Sequence, residues 1–287
     1  DLRPVFTTAK LDLTSTVTVT QLKPDSRWLT TDDAGHRYVL YLYDPDGNGT
    51  PDELRVLQPH YLTGQRGFSF LVTGTLTVMQ PDRTISLAAA DDVIVRGNFN
   101  LPGAGSDLTL QSDRWIYWEG AADISGDARL FGGLKLDGTD LGGFGIGGSS
   151  VYIADTSLVN TRGAGTSITI RGSKDVDITG PVVAGGLIGE NGITWSGPDS
   201  TVVVTAGQQV LVDSAIAAAK SVTITGGAAA ADDNRLSVHV TTVGGASAAG
   251  LTSDNSGGTV TLQGPTDLQL TGNILSGGTM QQQFNAQ

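Results

Sequence analysis

The sequence predicts an all-β chain coiled as a right-handed parallel β-helix, a β-solenoid, preceded by an N-terminal β element with longer loops. Three observations predict it: apolar-x-apolar strands recurring at about 20-residue intervals, 40 Gly with only 10 Pro, and 26 Asp beside 3 Glu. The glycine share is about twice the usual ~7 %, without a G-X-Y period, so turns are frequent and collagen is excluded. Long helix formers with charged ends are scarce while Thr, Val and Ile abound, which argues against helical and alternating α/β folds. At 39 % hydrophobic, the 287 residues carry enough apolar material for a sizeable core.

Residues 1–63 hold 3 of the 40 Gly but 4 of the 6 Tyr. The composition shift divides the chain into an N-terminal β element, 1–67, and a repeat region, 68–287. The first part carries alternating strand-like runs, LDLTSTVTVT from Leu11 and HRYVLYLY from His36, separated by polar turn segments such as TTDDAG.

In the repeat region five stretches share one template, beginning at Thr84 (TISLAAADDVIV), Asp107 (DLTLQSDRWIYW), Ser167 (SITIRGSKDVDI), Thr201 (TVVVTAGQQVLV) and Thr259 (TVTLQGPTDLQL). Eight residues separate the first apolar positions of the paired strands in Ile85 and Val93, Ile168 and Val176, Val202 and Val210, and Val260 and Leu268. A third element follows six residues later, at Phe99, Val182, Ile216 and Ile274. Units of three short strands therefore begin at Ile85, Leu108, Val151, Ile168, Val202, Val222 and Val260. One unit cannot bury its apolar face alone. Stacked units place every apolar column inside and pair each strand with its neighbours above and below. A β-sandwich also accommodates short strands at this spacing, but it has no reason to preserve the eight-residue offset.

The stretches TVVVTAGQQVLVDSAIAAAKSVTITGG from Thr201 and TVTLQGPTDLQLTGNILSGG from Thr259 resemble the imperfect repeats of filamentous-haemagglutinin-type exoproteins and other large bacterial adhesins. The resemblance spans roughly residues 68–280, and the Asn-Pro-Asn-Gly signature of that family's secretion domain is missing. It implies a non-enzymatic, secreted or cell-surface bacterial segment, an adhesin or a stalk.

The sharpest local motif is DPDGNGTPDE from Asp44. Acidic side chains at alternate positions of a Gly-containing turn bring several hard oxygens to one centre, as Ca²⁺ requires. Asp44, Asp46 and Asn48 supply side chains, Thr50 a carbonyl, and Asp52 and Glu53 complete the shell. The spacing resembles the calcium loops of dockerins and thrombospondin type 3 repeats, although Arg55 stands where an EF-hand has its bidentate Glu. The plain alternative is an Asp-Gly and Asn-Gly hairpin turn.

Two further groups border the second strand of each unit. Asp92, Arg114, Asp175, Gln209 and Asp267 form a column if the units stack, and polysaccharide lyases built on β-helices place calcium-binding Asp and a basic residue on such a face. Asp at a turn exit also bonds its local backbone and needs no ligand. In RWIYWEG from Arg114, the eight-residue offset turns Trp115 and Tyr117 outward, where flat rings can stack on sugar, whereas a seven-residue offset buries them.

Other motifs point to structure. GFGIGG from Gly143 spells G-x-G-x-x-G with no helix after it. His36, His60 and His239 show no ligand spacing, and the pairs Asp32 with Asp33, Asp91 with Asp92, and Asp232 with Asp233 fall in turns.

The net charge of −12 and the scattered basic residues argue against nucleic acid as a partner. The absence of Cys excludes thiol catalysis and thiolate metal sites. No run approaches the length of an apolar membrane span, so membrane insertion is not expected. The opening DLRPVF has no leader pattern and suggests a mature product or an excised piece. The expected partners are surface glycans, or a second copy stacking along the coil axis. Two alternatives remain: a calcium-dependent polysaccharide lyase or related carbohydrate-active enzyme, and a structural fibre or sheath subunit.

Overall fold

The computed structural model describes residues 10–12, 17–18, 27–31, 37–43, 53–57, 69–72, 75–77, 79, 81–89, 92–189, 192–196, 199–227, 238–240, 250–253, 259–265, 268–270 and 273–276. Among them the fold is all-β, with a single 3-10 turn at Ile146–Gly148. Three sheets of nine, nine and ten strands take almost every strand, and a two-stranded hairpin makes up the rest.

Successive strands visit the three sheets in rotation. Thr84–Ala89 lies in the ten-stranded sheet, Asp92–Val95 in one nine-stranded sheet, Asn98–Leu101 in the other, and Asp107–Ser112 returns beside Thr84–Ala89. From Glu53–Leu57 onward the pairs between these three sheets' strands are parallel, and the pattern is compatible with a β-solenoid. Arg27–Thr31 and Arg37–Tyr43 extend the ten-stranded sheet antiparallel to Glu53–Leu57. Lys10–Asp12 and Val17–Thr18 pair with Ser69–Val72 and Thr75–Thr77, so chain from both sides of residue 67 contributes to the same sheets.

The alternation observed in the sequence explains the core. In Thr84–Ala89, Ile85 and Leu87 point inward and are buried while Ser86 faces out. In-register pairing then lines up Ile85, Leu108, Ala128, Ile168, Val202, Val222 and Val260 in one column. Val93, Ile116, Val151, Val176 and Val210 form the second column, and Phe99, Ala122, Val159, Val182 and Ile216 the third. All of these side chains are buried. Fully burying one such aliphatic side chain contributes about 1.5–3 kcal/mol, and each column repeats the gain at every turn.

Two sequence expectations change here. Val151 does not begin a unit: it pairs with Ile116 and Val176 in the second column, and Ala128 begins that turn. The cause is an insertion, residues 133–148, between the first and second strands of the turn, which breaks the eight-residue offset. Arg114 likewise leaves the column proposed for it, because Trp115 stands opposite Asp92.

Buried hydroxyls mark the edges of the ten-stranded sheet. Ser150 Oγ lies 3.0 Å from Ser173 Oγ at its exit, and Thr166 Oγ1 lies 3.2 Å from Ser200 Oγ at its entry. These bonds satisfy polar atoms where the backbone turns away from the ladder.

Candidate functional site

Among the described residues the insertion 133–148 falls at a corner, and two corners carry distinctive chemistry. The first surrounds the strand Trp115–Trp118. Ile116 and Trp118 enter the core, and the Trp118 indole N–H donates to the Gly120 carbonyl at 2.6 Å. Trp115 and Tyr117 face outward, as the eight-residue offset predicts. Their rings are engaged by protein: Tyr117 stacks on Tyr152 with centroids 5.4 Å apart and planes 5° apart, and Trp115 lies 5.0 Å from Tyr117. The Tyr117 hydroxyl donates to Glu119 Oε1 at 2.6 Å, and this bond, with some burial, pushes its pKa up to about 12.

The other neighbour of Trp115 is the insertion 133–148. Gly145 packs directly on the indole, where an added β-carbon would collide with Cδ2, Cγ and Cε3. The Gly143 carbonyl accepts from Ser150 Oγ at 2.7 Å and from Ser173 Oγ at 2.9 Å, tying the loop to two turns of the coil. At the tip, Asp137 Oδ1 accepts from the Thr139 N–H at 2.9 Å and from its hydroxyl at 2.7 Å, which holds the Asp137 carboxyl below its usual pKa. So fastened, the loop leaves Leu136, Leu141 and Phe144 exposed, Phe144 at 51 %. GFGIGG is the returning limb of this insertion.

The second corner joins the third strand of each turn to the next first strand. Three consecutive corners differ in length: residues 102–106 and 162–166 carry the related segments PGAGS and RGAGT, and 125–127 between them carries only SGD. The short corner lies recessed between two longer ones, which opens a cleft of about 610 Å³. Gly105 and Gly165 take φ of 70° and 69°, conformations that make these tight corners possible. Pro102, Ala104 and Ala164 form apolar walls, and Asp107, Asp123, Ser125, Asp127 and Arg162 bring polar groups to the cleft.

Ion pairs organise that cleft. Arg129 spans two carboxylates, with Nη1 3.3 Å from Asp107 Oδ2 and Nη2 2.6 Å from Asp127 Oδ2. The Asp127 N–H donates to Asp107 Oδ1 at 2.7 Å, and Asp127 Oδ1 accepts from the Ser167 N–H at 2.8 Å. Burial raises the Asp107 carboxyl above its ordinary value, more than these bonds lower it. Arg162 pairs with Asp123, and Ser196 Oγ donates to the Arg162 carbonyl at 3.0 Å from the end of the hairpin Gly186–Gly189 with Gly192–Trp195.

The remaining sequence candidates fall as follows. The Arg114 guanidinium reaches back to Asp92, Nε to Oδ1 at 2.8 Å and Nη2 to Oδ2. Asp175 Oδ1 accepts from the Gln209 N–H at 3.0 Å. These side chains bind turn to turn. Asp44, Asp46, Asn48, Thr50 and Asp52 lie outside the described residues, as do Asp267, His36 and His60. Glu53 opens the strand Glu53–Leu57 and pairs with Tyr43 and Thr84. His239 stands between Leu211 and Gln269 on an outer row. Among the described residues no group of three His, Cys, Asp or Glu is placed to hold a metal ion.

The cleft escaped the sequence reading because its depth depends on three successive corner lengths, and placing Val151 as a unit start hid the middle turn. The repeated Gly-Ala-Gly-Ser and Gly-Ala-Gly-Thr segments were the available signal. No family model, curated protein or solved structure matches this chain.

Proposed function

We propose that this chain is a right-handed parallel β-helix acting as a non-enzymatic adhesive or stalk segment of a bacterial surface exoprotein of the filamentous-haemagglutinin type, outside the cell. The observation that carries this reading is the clamped insertion 133–148. Gly145 on Trp115 and Gly143 between Ser150 and Ser173 hold it against the coil, while Leu136, Leu141 and Phe144 face solvent. Apolar side chains held out from a rigid scaffold suit contact with a partner surface. The ionisable groups at the corners support binding over turnover. Arg114 with Asp92 and Arg162 with Asp123 are matched in ion pairs, whereas general acid-base work needs a group poised to exchange its proton. Calcium in the 44–53 loop belongs to the same proposal.

The test is adherence. Beads coated with the protein should bind epithelial or bacterial surfaces, and Leu136→Asp with Phe144→Asp should reduce retention severalfold without lowering the thermal midpoint. Equal retention by the double variant would remove the insertion from the adhesive surface. Release of unsaturated or reducing ends from polygalacturonate or alginate, abolished by Arg114→Ala, would replace the adhesin by a lyase.

A further inference from the structure

The corner cleft between 102–106 and 162–166 is lined by no residue of the insertion 133–148 that carries the adhesive reading. We infer that this cleft is a binding subsite for a short stretch of neutral oligosaccharide. The inference rests on the adhesive reading for its context, and its test is separable from it.

Size is the first argument. At about 610 Å³ the cleft falls within the range of sites that hold a small ligand. Its opening follows from a five-residue corner on each side of a three-residue one, so the depression is built into the backbone. On one side the wall is braced where the Asp82 N–H donates to the Ala104 carbonyl at 2.8 Å. On the other, Ser196 holds Arg162.

Chemistry is the second. A pyranose presents apolar C–H faces and a rim of hydroxyls. Pro102, Ala104 and Ala164 supply apolar walls, and Asp107, Asp123 and Asp127 supply acceptor oxygens beside guanidinium donors. A carboxylate held by an arginine keeps further lone pairs for hydroxyl donors, and its position is already fixed, so ordering costs little on binding.

Charge then selects the class. Both guanidinium groups face carboxylates, and the chain as a whole carries −12, so a polyuronate meets repulsion with no unmatched cation to offset it. A cationic glycosamine finds the carboxylates already engaged, Asp123 by Arg162 and Asp107 and Asp127 by Arg129, and must compete with those guanidinium groups. A neutral chain meets neither penalty.

The test is calorimetric titration of the full chain with maltohexaose, cellohexaose and mannohexaose, with oligogalacturonate and a chitosan hexamer as charged comparators. At least one neutral hexamer should bind saturably and the charged ones at least tenfold more weakly. Ala164→Trp, at an exposed wall position, should weaken binding at least tenfold with an unchanged melting temperature, and Ala104→Trp should do the same from the opposite wall. If Ala164→Trp alters folding, the Ala104→Trp result decides. Binding that survives both fillings, preference for either charged glycan, or no saturable heat with any neutral hexamer would overturn the inference. Adherence that persists after a failed titration leaves the insertion's role standing, and loss of adherence with hexamer binding intact does the reverse.

Discussion

Gly145 lies against the Trp115 indole, and this contact helps to fasten the longest described insertion to the outer face of the coil. No side chain larger than hydrogen fits between backbone and ring. Gly145→Val should therefore lift the limb 143–148 from Trp115 and break the Gly143 carbonyl's bonds to Ser150 and Ser173. The expected outcome is rapid proteolytic cleavage within 133–148, with the main unfolding transition shifted little because the three core columns remain intact. Cleavage no faster than in the parent chain would show that the clamp is not what fixes the loop.

The columns make a sharper demand. Val210 is wholly buried between Val176 and Val238, whereas Gln209, one residue earlier, is half-buried at a corner, its N–H donating to Asp175 and its carbonyl accepting from the Val176 N–H. Val210→Asp places an unpaired carboxylate in the apolar interior and should destabilise by about 4 kcal/mol. Gln209→Asp adds a like charge beside the buried Asp175 but keeps its own carboxylate at a half-buried corner within reach of water, and should cost far less, about 1 kcal/mol. Thermal denaturation of both variants checks the register, and equal midpoints would refute it.

How much of this was legible follows from particular residues. The eight-residue step from Ile168 to Val176 and the six-residue step to Val182 predict which strand enters which sheet, because each corner there is short enough to preserve phase. Ala128 was missed because a small residue begins its strand and no second strand follows eight residues on; the insertion intervenes. Periodicity correctly turned Trp115 outward, yet it carried no information about what covers the ring. That depends on how a glycine-rich loop returns, a tertiary matter with no periodic trace. The paired charges of the cleft were illegible for a similar reason, since Arg129 meets Asp107 only across stacked turns.

The calcium expectation concerns the acids of DPDGNGTPDE. If the sequence spacing brings Asp44, Asp46 and Asp52 to one turn, they repel without a cation, and an ion bound only by the native arrangement stabilises by about 2.7 kcal/mol at a hundredfold excess over its dissociation constant. Chelation should lower the melting temperature of the N-terminal part, with less effect on later turns, because each turn contacts only its neighbours. Asp44→Ala with Asp46→Ala should abolish the response. Calorimetry showing no binding at millimolar calcium would reduce the motif to a hairpin turn.

The last prediction concerns the outer aromatic row. Tyr117 holds its proton against Glu119, and its pKa is pushed up to about 12 from the ordinary 10.0, first by the hydrogen bond to that carboxylate and then by burial. The sign follows from linkage: with the folded value above the unfolded one, the unfolded chain releases this proton first as pH rises. The contribution is complete below about pH 10 and is lost as pH climbs through about 12. Glu119→Gln removes the charged acceptor and also frees Arg96, which pairs with Glu119 at 3.0 Å. One tyrosine of the native protein should then titrate nearer 10 when followed by tyrosinate absorbance. Tyr117→Phe should delete that titration step and flatten the alkaline loss of stability. An alkaline absorbance curve that Glu119→Gln leaves unmoved would mean that the hydroxyl does not rely on this carboxylate, and the stacked Tyr117 and Tyr152 pair would then have to hold the row by ring contact alone.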